Sequence, residues 1–216
     1  MNLTDQLPRV GGLRRAAKAG RVAVVGATVL SAALLSACGS RAPAPTQMDL
    51  GPVAAWPQQA PLAKRVELQG LSAPETLQGT GIAYRLADSD PYARRTYRDS
   101  RWAAPLPVLV AARMRQQIAR APVAAGADPQ VVIGVSLELE ESLQSFSSAS
   151  RSEVQVRVMA TAEDGTQRAF DRSEPAGGNA EGAVKATAAA VDALAPEIAA
   201  WAATLSPRTP APRGRR

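Results

Sequence analysis

Ten residues constrain this chain more than any others. "VVIGVSLELE", residues 131–140, alternates: Val131, Ile133, Val135, Leu137 and Leu139 against Gly134, Ser136, Glu138 and Glu140. A period of two puts the first set on one side of a β-strand and the second on the other. Such a strand has one dry face, and a second layer must cover it. Two helical stretches supply that layer. In "WAAPLPVLVAARMRQQIARA", Leu106, Val110, Met114 and Ile118 recur every fourth residue, and Pro107 suits a first helical turn. In "NAEGAVKATAAAVDALAPEIAAWAATL", Val184, Val191, Ile198 and Leu205 fall every seventh residue with Thr187, Leu194 and Trp201 between, a 3.5-residue seam. Asn179 is placed to cap this helix, and Pro196 predicts a kink or a second segment.

Further strands flank these elements. "KRVELQG" buries Val66 and Leu68, and "GIAYRLA" buries Ile82, Tyr84 and Leu86. "ARRTYRDS" is a weaker strand holding Tyr97. "SEVQVRVMATAEDGTQRAFDRS" reads as a hairpin turning at Asp164-Gly165, and "QSFSSASRS" before it reads as a long polar loop. Strands, helix, strands, helix with hairpin connections predict a two-layer α+β domain: an antiparallel or mixed sheet with two helices on one face. No internal repeat is visible.

The net charge of +6 suggests a nucleic-acid binder until it is located. Residues 1–37 carry five basic side chains against Asp5, and residues 206–216 carry Arg208, Arg213, Arg215 and Arg216 with no acid; each end is +4, which leaves 38–205 at −2. A near-neutral body lacks the positive field that nucleic acid requires. One cysteine and no histidine exclude an internal disulfide, zinc sites of the usual ligand types and the His-dependent nucleophilic triads. Glu138, Glu140 and Glu141 form a carboxylate cluster, with Glu138 and Glu140 about 7 Å apart on a strand, near glycosidase spacing. Their alternation with buried residues marks a solvated sheet surface instead. "GTG", residues 79–81, follows no hydrophobic strand and is a turn. The chain is expected to be no enzyme, to hold no metal and to need no cofactor.

The single cysteine answers to the N-terminus. Arg14, Arg15, Lys18 and Arg21 precede the uncharged "VAVVGATVLSAALLSA", residues 22–37. As a helix this run reaches about 24 Å, short of the ~30 Å hydrocarbon core, and has the form of a secretory signal. A short uncleaved membrane helix is the alternative. Leu35-Ser36-Ala37-Cys38 resembles the lipobox of bacterial lipoproteins. That resemblance implies cleavage before Cys38, a diacylglycerol on its sulfur and an acyl chain such as palmitate on the new amino terminus. Several chains on one residue make a stable anchor where one does not. Asp after the cysteine favours inner-membrane retention in such proteins, so Gly39 points to the outer membrane.

The expected organisation is a signal over 1–37, lipidated Cys38 with an Ala/Pro-rich tether to 46, one domain over 47–205 and a disordered basic tail over 206–216. Anionic lipid headgroups are one partner for that tail.

An ordered set of residues adds a family. "QMDLGP" is followed by a strand, then Pro74 and Leu77, then Tyr84-Arg85, then Tyr92 and Tyr97, then Arg101-Trp102-Ala103 with Pro105 leading into a helix. Over residues 46–205 this resembles the ABC-type transport auxiliary lipoprotein family. The resemblance implies a non-catalytic, membrane-anchored periplasmic subunit. Its partners would be an MCE-domain protein and an ABC permease and ATPase that move lipids or other hydrophobic molecules between membranes. Tyr84, Arg85, Tyr97 and Trp102 carry the match, as packing residues or as partner contacts. A homo-oligomer is compatible with it. An assembly-factor lipoprotein of the outer membrane and a stand-alone periplasmic lipid-binding module remain as alternatives.

Overall fold

The structure, a computed structural model, describes residues 43–207. The expected signal, Cys38, residues 39–42 of the tether and residues 208–216 of the tail lie outside the described residues. The elements in chain order are β1 (Thr46–Met48), β2 (Arg65–Ser72), a 3-10 turn (Glu75–Leu77), β3 (Gly81–Leu86), β4 (Asp90–Trp102), α1 (Leu106–Ala119), β5 (Val132–Ser148), β6 (Arg151–Ala162), β7 (Gln167–Ala176) and α2 (Ala180–Thr204). Seven strands form one mixed sheet in the order β1-β4-β3-β5-β6-β7, with β2 also on β5. Helix α2 lies on β6 and β7, and α1 packs against β2 and α2. This is the α+β architecture the sequence predicts.

Strand β5 organises the sheet. β6 runs antiparallel along one edge from Val135 to Ser148. The other edge is shared. β2 pairs parallel with Val132–Glu138, and β3 pairs parallel with Gln144–Phe146. The inward residues Ile133, Val135, Leu137 and Leu139 are at most 2 % exposed, so the alternation delivers the core it promises. On α2, Val191, Leu194 and Ile198 are fully buried, as are Ala190, Ala195, Ala199 and Ala202. The small alanines let the helix axis approach the sheet closely. Truncating a residue as enclosed as Leu194 removes about 2–5 kcal/mol in comparable cores. Asn179 caps α2, its Oδ1 accepting from the Gly182 N–H at 2.8 Å. At the other end Lys64 Nζ donates to the Leu205 carbonyl at 2.6 Å, placing a cation at the negative end of the helix dipole.

Some expectations are corrected. "QSFSSASRS" is no loop: β5 continues to Ser148 and returns as β6 at Arg151. The cause is a bulge. Leu139 pairs with Val158 and Glu141 with Arg157, so Glu140 is an extra residue. Beyond it the inward phase moves from odd to even positions, Ser142, Gln144 and Phe146, while Leu143 between them is buried as well. The same bulge breaks the Glu138–Glu140 spacing. Of the two outcomes expected at Pro196, the second segment does not form: helix α2 runs as a single element through it. Proline removes one backbone hydrogen bond there, and the enclosed Leu194, Ala195, Ile198 and Ala199 around it hold the helix together. Thr46, expected in the tether, pairs with Ser100 and belongs to the sheet. Gly81, read both as the last residue of the GTG turn and as the first of the "GIAYRLA" strand, opens β3 opposite Arg101.

Candidate functional site

The four matched residues lie on two adjacent strands, Tyr84 and Arg85 on β3 and Tyr97 and Trp102 on β4, but they do not form one surface. Tyr84 and Tyr97 meet with ring centroids 4.8 Å apart, and Phe146 stands edge-on to Tyr84 at 6.0 Å. The Tyr97 hydroxyl donates to Gln144 Oε1 at 2.7 Å. Gln144, 1 % exposed, donates from Nε2 to Ser152 Oγ and to the Gly177 carbonyl, both at 2.8 Å. Ser152 Oγ in turn donates to the Ala176 carbonyl at 3.0 Å. A polar chain therefore ties β4, β5, β6 and the end of β7 together, with each buried group satisfied by the next. Trp102 is 3 % exposed and belongs to the core. Arg85 alternates with Tyr84, so it faces the other side of the sheet, half-buried, and its Nε has no hydrogen-bond partner among the described residues.

Burial, with a smaller effect from Tyr84, pushes the Tyr97 hydroxyl up to about 12. A free phenol titrates near 10. The folded state therefore holds this proton longer than the unfolded chain, and the resulting stabilisation is complete below pH ~10 and lost as pH rises toward ~12. Stability of the wild type should fall across that window, and Tyr97→Phe should flatten the slope. Urea melts at intervals from pH 9 to 12 measure the difference.

A second constellation was not legible as a site. Arg113, on α1, is 5 % exposed. Its Nε and Nη2 bind the two oxygens of Asp192 on α2 at 2.8 and 2.6 Å. Nη1 donates to the Leu50 and Gly51 carbonyls at 2.7 and 3.0 Å, and Nη2 to the Pro52 carbonyl at 2.9 Å. Gln117 Nε2 adds bonds to Asp192 at 2.8 Å and to the Ala54 carbonyl at 3.2 Å. The stretch just after β1 is thus clamped onto both helices. One signal was available: Leu106, Val110, Arg113 and Gln117 follow the spacing of a buried stripe, and two of them are polar.

Elsewhere β4 is irregular, and only its last three residues, paired with β1, carry a strand on the outer side. Between the pairs Leu86–Asp90 and Tyr84–Arg95, two steps along β3 match five along β4. Tyr92 lies within this excursion and is 96 % exposed. Arg95–Asp90 and Arg94–Glu141 ion pairs, each at 2.8 Å, edge the same strand. Among the described residues no three His, Cys, Asp or Glu side chains gather into a metal-binding group, and no helix is long and apolar enough to cross a membrane.

These features define a class: a two-layer α+β domain held by internal polar ties, with an aromatic and arginine-rich strand at its edge. The chain belongs to the ABC-type transport auxiliary lipoprotein component family, whose model matches residues 48–199. Among solved structures it is similar to protein XCC0632 from Xanthomonas campestris, of the DUF330 family, at 17% identity and a TM-score of 0.54, covering 75% of this chain and 94% of that one. An uncharacterized protein gives 12% identity and a TM-score of 0.46, over 68% and 97% of the two chains. No curated protein matches the sequence.

Proposed function

We propose that this chain is the membrane-anchored, periplasm-facing and non-catalytic auxiliary subunit of an ABC transport system of the MCE type, which carries lipids or other hydrophobic compounds between membranes. The observation that carries the reading is the family match over residues 48–199, which begins ten residues after the lipobox cysteine. Diacylglycerol and an acyl chain on Cys38 hold the domain at the bilayer, and Gly39 favours the outer membrane. The short tether keeps the domain near the lipid surface, where an MCE protein reaching across from the permease–ATPase pair of the other membrane would meet it. Tyr84 and Tyr97 keep part of their surface, and together with exposed Tyr92 they are the proposed contact residues, with half-buried Arg85 available on the opposite face of the same strands. Trp102 supports these strands from the core.

The test uses the full chain in its native host. Palmitate labelling should mark the wild type and vanish in Cys38→Ala, which should leave the membrane fraction. Gentle extraction of the tagged wild type should recover an MCE-domain protein with a permease and an ATPase. Equal labelling of both forms refutes the anchor, and recovery of none of these subunits refutes the transport role.

A further inference from the structure

The two strands that share one edge of β5 do not meet. Pairing with β2 stops at Glu138 and pairing with β3 starts at Gln144, so residues 139–143 face no strand on that side. A cavity of about 300 Å³ occupies the gap. Its inner end is Trp102, Leu106, Val154, Ala183 and Thr187, all buried. Its mouth is formed by the exposed residues Thr76, Gly79, Gly81 and Thr96, with Arg94 beside them. The mouth is narrow for a structural reason: a Cβ on Gly81 would lie 2.7 Å from Thr96 Cγ2.

The lining sorts by depth. Polar groups near the inner end are already engaged: Thr187 Oγ1 donates to the Ala183 carbonyl at 2.8 Å, and Gln144 is held by Tyr97, Ser152 and Gly177. Water entering there finds few partners, and such spaces take apolar guests. The volume is about twice the ~150 Å³ of a cavity that accepts benzene, and at the low end of ligand pockets. At the mouth Arg94 commits one N–H bond to Glu141 at 2.8 Å and one to the Ser142 carbonyl at 3.2 Å. A guanidinium carries five N–H donors, so it has capacity for another anion.

We propose that this sheet gap is a binding site for a single-chain amphiphile, with a short alkyl tail passing between β2 and β3 toward Trp102 and Ala183 and a carboxylate head at Arg94, Thr76 and Thr96. Apolar depth and the spare N–H donors of Arg94 at the rim, left over from its pair with Glu141, fix the orientation. The site stands apart from the transport reading, since it fills or stays empty whichever partners the domain meets.

The test is photolabelling of the full chain in phosphatidylcholine nanodiscs with diazirine-bearing decanoate, mapped by mass spectrometry. Label is expected at residues 77–83, 102–106 and 142–144, and excess decanoate should remove it. Ala183→Leu fills the inner end and should abolish it. Arg94→Gln should lower labelling by the acid about tenfold, the scale of one hydrogen bond to a charged group, and leave labelling by the matching alcohol unchanged. Label scattered over the surface, resistance to competition, or equal labelling of a folded Ala183→Leu protein overturns the proposal. Should Ala183→Leu fail to fold, the wild-type map and the competition decide alone. Equal labelling of Arg94→Gln by the acid overturns the head-group assignment.

Discussion

Arg113→Ala should cost the domain about 3–5 kcal/mol, the range found when one partner of a buried ion pair is removed. The guanidinium makes five hydrogen bonds, two to Asp192 and three to the carbonyls of residues 50–52. Alanine strands Asp192, whose side chain is 12 % exposed, with only Gln117 and the Ala54 amide as remaining donors. It also leaves three carbonyls short of a donor. Natural domains are stable by about 5–15 kcal/mol in total, so the variant should populate unfolded chain near physiological temperature. Urea denaturation followed by circular dichroism measures the loss. Hydrogen exchange gives the local signature, because residues 46–54 should lose protection before the sheet does. Arg113→Lys should recover little, since an ammonium cannot span Asp192 and three carbonyls in one plane. The double variant Arg113→Met, Asp192→Leu should recover more, because it removes both buried charges together. If Arg113→Ala melts like the wild type, the clamp contributes nothing to stability.

That clamp shows where sequence stops being informative. Arg113 and Asp192 are 79 positions apart, and nothing local to either names the other. Parallel pairing is hidden for the same reason, since the registers of β1 on β4 and β2 on β5 are non-local choices. What could be read was periodic. The first half of β5, the stripe of α1 and the seam of α2 keep one phase over many residues, and each lies in the core except at its ends, where Val131, Trp201 and Leu205 are half-buried. The second half of β5 was lost because a one-residue bulge at Glu140 inverts the phase and the inward side turns polar. Gln144 looks like a loop residue until Tyr97, Ser152 and Gly177 are seen around it. The family resemblance succeeded on a different kind of information. It rested on the order of Tyr84-Arg85, Tyr97 and Trp102 along the chain, although the fold places Trp102 inside and Arg85 on the opposite face from Tyr84.

Gly182→Ala should destabilise the domain by about 3 kcal/mol, against the usual sign for glycine in a helix. Elsewhere in a helix this change gains about 0.5–1 kcal/mol, because alanine has less backbone freedom to lose. Here a Cβ would lie 2.4 Å from the Gly177 carbonyl oxygen, 2.5 Å from its Cα and 2.6 Å from its nitrogen. These are backbone atoms and cannot rotate aside, so the end of β7 and the start of α2 must separate, at about 1–3 kcal/mol for such overpacking. Separation also strains the Asn179 cap, whose oxygen accepts from the Gly182 N–H, worth about 0.5–2 kcal/mol. It pulls the Gly177 carbonyl from buried Gln144 as well. The melting temperature should drop by on the order of 10 °C in a chain of this size. Gly177→Ala is the control. Its Cβ would stand 3.5 Å from Gly182 Cα, an ordinary contact, so the same methyl added across the same junction should change the melt little. Equal melts for the two variants would mean that the junction yields freely, and the close approach of residues 177 and 182 would then not be what sets the entry of α2.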